Sequence, residues 1–157
     1  MPPSLLFDLS QIDLTQVEFG RKCIAEVNPQ SFEMSQLDGI IWYDSKKMLC
    51  LGYKDVTENE FWIRGHIPGR PIMPGVMMVE AAAQLSSFYM RRIYGLEGFI
   101  GFSGIKKTKF RDTVTPGSRL YLLGQICKVR SRQFSAAVQG IVDGKMVFDT
   151  IVSGMLV

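Results

Sequence analysis

The chain holds a single histidine, His66, and fourteen residues after it one acid, Glu80, inside the apolar run V-M-M-V-E-A-A-A. His66 opens a stretch stiffened by Pro68, Pro71 and Pro74, and the pair Pro74-Gly75 leads into the apolar run. An unpaired carboxylate removed from water is costly, so an acid in such surroundings has to be neutralised or used. An imidazole titrates close to neutral pH. One group on a rigid loop and one on an apolar helix are the parts of a general acid/base pair. Gly75 adds a third part: it stands where the helix begins, with no side chain to block approach. Its backbone N–H and the positive helix end can face an oxygen on which negative charge develops. Gln84 lies one turn beyond Glu80 on the same helix face and can orient the carboxylate. Each residue also has a plainer role: a loop histidine, a carboxylate paired in a core, a Pro-Gly that punctuates a helix start.

These parts need a loop, a helix and a frame. Asn59 to Pro74 reads as loop from its Gly and Pro content. Val76 to about Tyr94 reads as one long helix, stopped by Gly95 and apolar on most of its circumference, hence buried on several sides. Ahead of the loop, Gly39 to Tyr43 and Met48 to Tyr53 read as two strands joined by the turn Asp44 to Lys47. After the helix, the candidate strands are Phe99 to Phe102, Thr108 to Phe110, Arg119 to Val129, Phe134 to Val142 and Lys145 to Leu156. Asp143-Gly144 is a two-residue hairpin signal, and Thr115-Pro116-Gly117 is a second turn. Ile12 to Val27 shows roughly helical spacing ended by Asn28-Pro29, within residues 1–35, which read least clearly. The expectation is an α+β architecture over one domain, 1–157: a long central helix wrapped by a curved antiparallel sheet.

Composition narrows the classes. The 46% apolar and 21% charged content excludes a disordered or fibrous chain. No stretch is apolar for long enough to cross a membrane as a helix. The opening M-P-P-S-L-L-F-D-L-S has neither basic head nor adequate apolar run, so no secretory leader is expected. Cys23, Cys50 and Cys127 are odd in number and widely spaced, which points to a reducing cytoplasm and neither zinc site nor disulfide framework. With one histidine, no metal site is expected. Nothing resembles a nucleic-acid motif.

Residues 66–84, H-I-P-G-R-P-I-M-P-G-V-M-M-V-E-A-A-A-Q, resemble the active-site signature of the β-hydroxyacyl-acyl-carrier-protein dehydratases of type II fatty acid synthesis. A second block, G-I-K-K-T-K-F-R-D-T-V-T-P-G-S-R-L (Gly104 to Leu120), is similar to the family's strand and turn after the helix. The resemblance runs from about Asp38 to the C-terminus and leaves residues 1–35 as an N-terminal extension. It implies a hotdog fold and conversion of a 3-hydroxyacyl thioester to the trans-2-enoyl thioester without a cofactor. It assigns His66 the role of base, Glu80 that of acid and Gly75 the contact to the thioester oxygen. In the family, the histidine and acid of one site come from different subunits, so a homodimer is implied, and such dimers often assemble into hexamers. Glutamate at position 80 resembles the branch that only dehydrates.

The implied partner, acyl carrier protein, is acidic, so a basic rim would speed encounter. Lys106, Lys107, Lys109 and Arg111 form the obvious cluster and Arg91 with Arg92 a second; a solvated strand face and a helix-end complement are the plain readings. Two other functions share the frame: an acyl-thioesterase, in which His66 has no obvious task, and a non-catalytic partner subunit, which needs no buried acid.

Overall fold

The computed structural model describes residues 1–157. Six strands form one antiparallel sheet: β1 (Gly39–Asp44), β2 (Leu49–Asp55), β3 (Ile100–Phe110), β4 (Arg119–Arg130), β5 (Gln133–Val142) and β6 (Lys145–Leu156). Their order is β1-β2-β4-β5-β6-β3, which leaves β1 and β3 as edges. The tight turns follow the predicted chemistry. Asp44 accepts the N–H groups of Lys46 and Lys47 at 2.9 Å and closes the β1–β2 turn. Asp143 and Gly144 both take positive φ, 48° and 77°, as a type I′ hairpin requires.

A short helix α1 (Arg21–Val27) precedes the sheet, and α2 (Gly75–Phe88) packs into its concave side against β2 to β6. Met77, Met78, Val79, Ala81, Ala82, Leu85 and Phe88 are buried, so α2 is covered on several sides as its composition predicts. Leu85 sets the depth of this seat. A Cβ at Gly52 or Gly124 would stand 2.8 or 2.9 Å from its methyl carbons, so two glycines on neighbouring strands let the helix approach. The outer face of the sheet is covered by the chain's own beginning. Leu6, Phe7, Leu9, Ile12 and Leu14 pack on Ile41, Leu51, Tyr53, Leu123 and Ile141. Gln139 clamps this strap, accepting the Leu6 N–H and donating to the Ser4 carbonyl, both at 2.9 Å.

Three elements differ from expectation. The predicted helix from Ile12 is helical only over Arg21–Val27, because Asp13 captures the N–H and hydroxyl of Thr15 (3.0 and 2.6 Å) and closes a turn instead. The central helix is α-helical to Phe88 and widens into a π-helical turn over Tyr89–Tyr94. Just before that turn, Ser86 donates to the Ala82 carbonyl, a back-bond that bends helices. Gly95 at φ 91° ends it, as predicted, with the Leu96 N–H returning to the Met90 carbonyl. The two strands expected at Phe99 to Phe102 and Thr108 to Phe110 are one strand, β3, carried through two bulges. No Pro or paired turn residue interrupts it; Ser103 is the extra residue of the first bulge, and Lys107, at φ 52°, with Thr108 stands against one residue of β6 in the second.

Candidate active site

His66 is exposed on a loop held by its own backbone. The Trp62 carbonyl accepts the N–H groups of Gly65 and His66, and the Met73 N–H donates to the Val114 carbonyl, fastening the loop to the segment after β3. His66 Nδ1 lies 2.9 Å from the Ile72 carbonyl oxygen. A carbonyl only accepts, so Nδ1 carries the hydrogen and the neutral ring keeps its lone pair on Nε2, the form a base needs. The ring borders a shallow apolar recess with Phe61, Trp62, Pro74, Val76 and Met77.

Gly75 opens α2, so its N–H is among the donors that an α-helix leaves without an intrahelical carbonyl. The structure gives it a second reason to be glycine: a Cβ there would stand 2.8 Å from the Phe110 ring.

Glu80 is half-buried one turn into α2 and borders a cavity of about 110 Å³ with Gln30, Ser87, Ile100, Phe102, Phe134 and Ser153. Its Oε1 accepts a hydrogen bond from Gln84 Nε2 at 2.8 Å. Gln84 is 2% exposed and fully employed. Besides Glu80, its Nε2 donates to the Met34 carbonyl (2.6 Å), and its Oε1 accepts the Gln36 N–H (2.9 Å). Asn28 Nδ2 donates to the Gln84 backbone carbonyl at 3.0 Å. The segment 28–36 is thereby tied to the helix beside the acid. Sequence reasoning paired Gln84 with Glu80 but missed this clasp, since N-P-Q-S-F-E-M-S-Q has neither an apolar period nor a motif to announce it.

Within one chain the predicted residues fall into two groups. His66 lies at the helix start with Gly75, while Glu80 lies with Gln84 over the cavity; the two recesses have no lining residue in common, and His66 makes no hydrogen bond to Glu80. Lys106, Lys107 and Lys109 are exposed on β3. Arg111 is half-buried and held by Asp149 through Nε and Nη2, at 2.9 and 2.8 Å, which leaves three unpaired cations in that cluster. Arg92 lies over the Phe19 ring, 5.3 Å from its centroid.

Residues 28–151 match the model of the FabA-like domain. The 3-hydroxyacyl-[acyl-carrier-protein] dehydratase FabZ of Listeria monocytogenes is 36% identical over 127 residues, 80% of this chain and 88% of that protein. Among solved structures, the dehydratase heterocomplex ApeI:P from Xenorhabdus doucetiae superposes with a TM-score of 0.69 at 13% identity, covering 85% of this chain and 90% of that one. A hypothetical thioesterase with coenzyme A from Streptococcus pneumoniae gives 0.63 at 10% identity, covering 87% and 95%. At such identities these two structures speak for the shared hotdog fold alone.

Proposed function

The chain belongs to the FabA-like domain family, and from that premise we propose that it is a hydro-lyase of fatty acid biosynthesis. It converts a (3R)-hydroxyacyl thioester on acyl carrier protein to the trans-2-enoyl thioester and water, without a cofactor. His66 Nε2 takes the proton from the carbon next to the thioester carbonyl, and the electron pair of that C–H bond becomes the new C=C bond. Glu80 gives its proton to the departing β-hydroxyl, so the C–O bond breaks and water leaves. The Gly75 N–H faces the thioester oxygen while it carries enolate charge, aided by the positive end of α2.

The observation that carries this reading is the 2.9 Å contact from His66 Nδ1 to the Ile72 carbonyl, which leaves the second ring nitrogen free as the base. The Gln84 bond to Glu80 supports the acid's part by holding one carboxyl oxygen while the other stays available. Because His66 and Glu80 open onto separate recesses, a site assembled from two subunits suits them better than one confined to a single chain. Strand β3 supplies a surface for the second copy: it is a free edge on which Phe102, Ile105 and Phe110 are 47%, 55% and 52% exposed. Lys106, Lys107 and Lys109 beside it suit an acidic carrier. Thioester hydrolysis, by contrast, gives the His66 tautomer no task.

The test is an equilibrium hydration/dehydration assay with crotonyl-acyl carrier protein. Wild-type turnover that drops about 100- to 10,000-fold in His66→Ala and Glu80→Gln is the expected result. Release of free acid by the wild type would replace the dehydratase with a hydrolase.

A further inference from the structure

Lys54 lies near the end of β2, and its side chain is only 4% exposed. Lysine is seldom buried so fully unless something pairs with it. The partner is Glu60, whose side chain is 11% exposed and whose Oε1 stands 3.1 Å from Lys54 Nζ. The second carboxyl oxygen of Glu60 accepts the Thr57 N–H at 2.9 Å and the Thr57 hydroxyl at 3.2 Å. Both oxygens are thus occupied, and neither member of the pair takes part in the chemistry proposed above. Stability alone does not account for them either. Removing two charges from water costs free energy, and apolar side chains of similar volume often do as well or better in such a place.

What the pair fixes is the near end of the His66 loop. Lys54 belongs to the sheet and Glu60 to the loop, so their contact ties one to the other. The Glu60 carbonyl accepts the Ile63 N–H at 3.2 Å, which begins the turn that contains Trp62. Lys54 Nζ also stands 5.6 Å from the centroid of the Trp62 ring, within reach of cation–π attraction. Trp62 is buried and its indole N–H makes no hydrogen bond, so packing and the ammonium hold the ring. The Trp62 carbonyl then accepts the His66 N–H at 2.9 Å. At the far end, the Met73 N–H donates to the Val114 carbonyl at 2.8 Å and fixes the residue next to Ile72. The 2.9 Å contact from His66 Nδ1 to the Ile72 carbonyl spans these two ends, so it depends on both anchors.

We propose that Lys54, acting through Glu60 and Trp62, is a positioning residue for His66. It anchors the side of the loop from which the imidazole donates to Ile72, and so keeps the ring hydrogen on Nδ1 and the lone pair on Nε2. The consequence for turnover rests on the dehydratase reading; the consequence for the ring does not.

The test replaces both charges together, Lys54→Met with Glu60→Leu, because removing one alone strands the other in the interior. With a single histidine in the chain, the imidazole nitrogen resonances belong to His66 alone and report which nitrogen carries the hydrogen. At about pH 8, where an imidazole is neutral, the wild type is expected to show the Nδ1–H form. The double variant is expected to keep its melting temperature and to shift toward a mixture with the Nε2–H form. Its turnover of crotonyl-acyl carrier protein is expected to fall about tenfold in kcat with KM held, the mark of a misplaced base. Should the leucine variant not fold, Lys54→Met with Glu60→Gln, which keeps an oxygen for Thr57, takes its place. An unchanged Nδ1–H share in the folded variant overturns the role of Lys54, whatever kcat does. Wild-type turnover alongside that result spares the dehydratase. A shifted ring in a protein whose wild type shows no turnover keeps Lys54 as the anchor of His66 and rejects the dehydratase.

Discussion

At the scale of single residues, Gln84 carries more than its place beside Glu80 suggests. Replacing it with leucine strips the partners from the Gln36 N–H and the Met34 carbonyl and releases Glu80. Each backbone group so orphaned costs about 1–3 kcal/mol. Gln84→Leu is therefore expected to lower both the unfolding midpoint in urea and kcat, the latter about two- to tenfold for the lost hydrogen bond that orients the acid. Gly75 shows how a packing role and a chemical role are separated. A methyl group at that position meets the Phe110 ring at 2.8 Å, so Gly75→Ala alone is expected to cost about 1–3 kcal/mol from overpacking. In a Phe110→Ala background the collision is gone, and calorimetry should show no stability difference between glycine and alanine. A fall in kcat/KM that persists there reports the approach of the thioester oxygen; unchanged kcat/KM would reduce Gly75 to a packing requirement.

At the scale of elements, the regular hairpins and the buried helix were legible because their signals are local. Asp143-Gly144 needs two positive φ values, and an apolar helix ending at Gly95 needs a sheet around it. The signature around His66 and Glu80 was legible for the same reason, since loop, helix start and acid are contiguous in sequence. What stayed hidden depends on distant partners. The clasp of residues 28–36 has meaning only through Gln84, some fifty positions later. Likewise, β3 reads as two strands until β6 is laid beside it to pair across both bulges. The N-terminal strap follows yet another rule. Its turns rest on Asp8, whose carboxyl is lowered by the Ser10 N–H and then its hydroxyl, and on Asp13, lowered by the Thr15 hydroxyl and then its N–H. Both carboxyls thus titrate below their unfolded value of 3.8. Their contribution is present above that value and is lost as the pH falls through the folded pKa. Amide protection at Ser10 and Thr15 is expected to decline below about pH 4, and in Asp13→Asn the pH dependence at Thr15 should vanish.

At the scale of the whole molecule, two copies are expected to complete what one begins. A dimer made only of His66→Ala subunits, or only of Glu80→Gln subunits, carries a damaged group in both sites. A mixed dimer carries both lesions in one site and none in the other. Random mixing is therefore expected to recover about a quarter of wild-type turnover from two inactive proteins, as a two-fold interface predicts; no recovery would mean that one chain supplies both groups. The two ends of the chain are unequal in this respect. The Val157 N–H is bound to the Phe99 carbonyl, next to the β3 edge, whereas Gln139 holds Ser4 on the outer face. A fluorophore or surface tether attached behind Val157 would therefore sit beside the β3 edge, the surface proposed for a second copy. One attached ahead of Met1 leaves from the outer face of the sheet, where Ser4 is the first residue held. Immobilised through its beginning, the protein is expected to keep that edge open to a second copy; immobilised through its end, it is expected to lose the pairing.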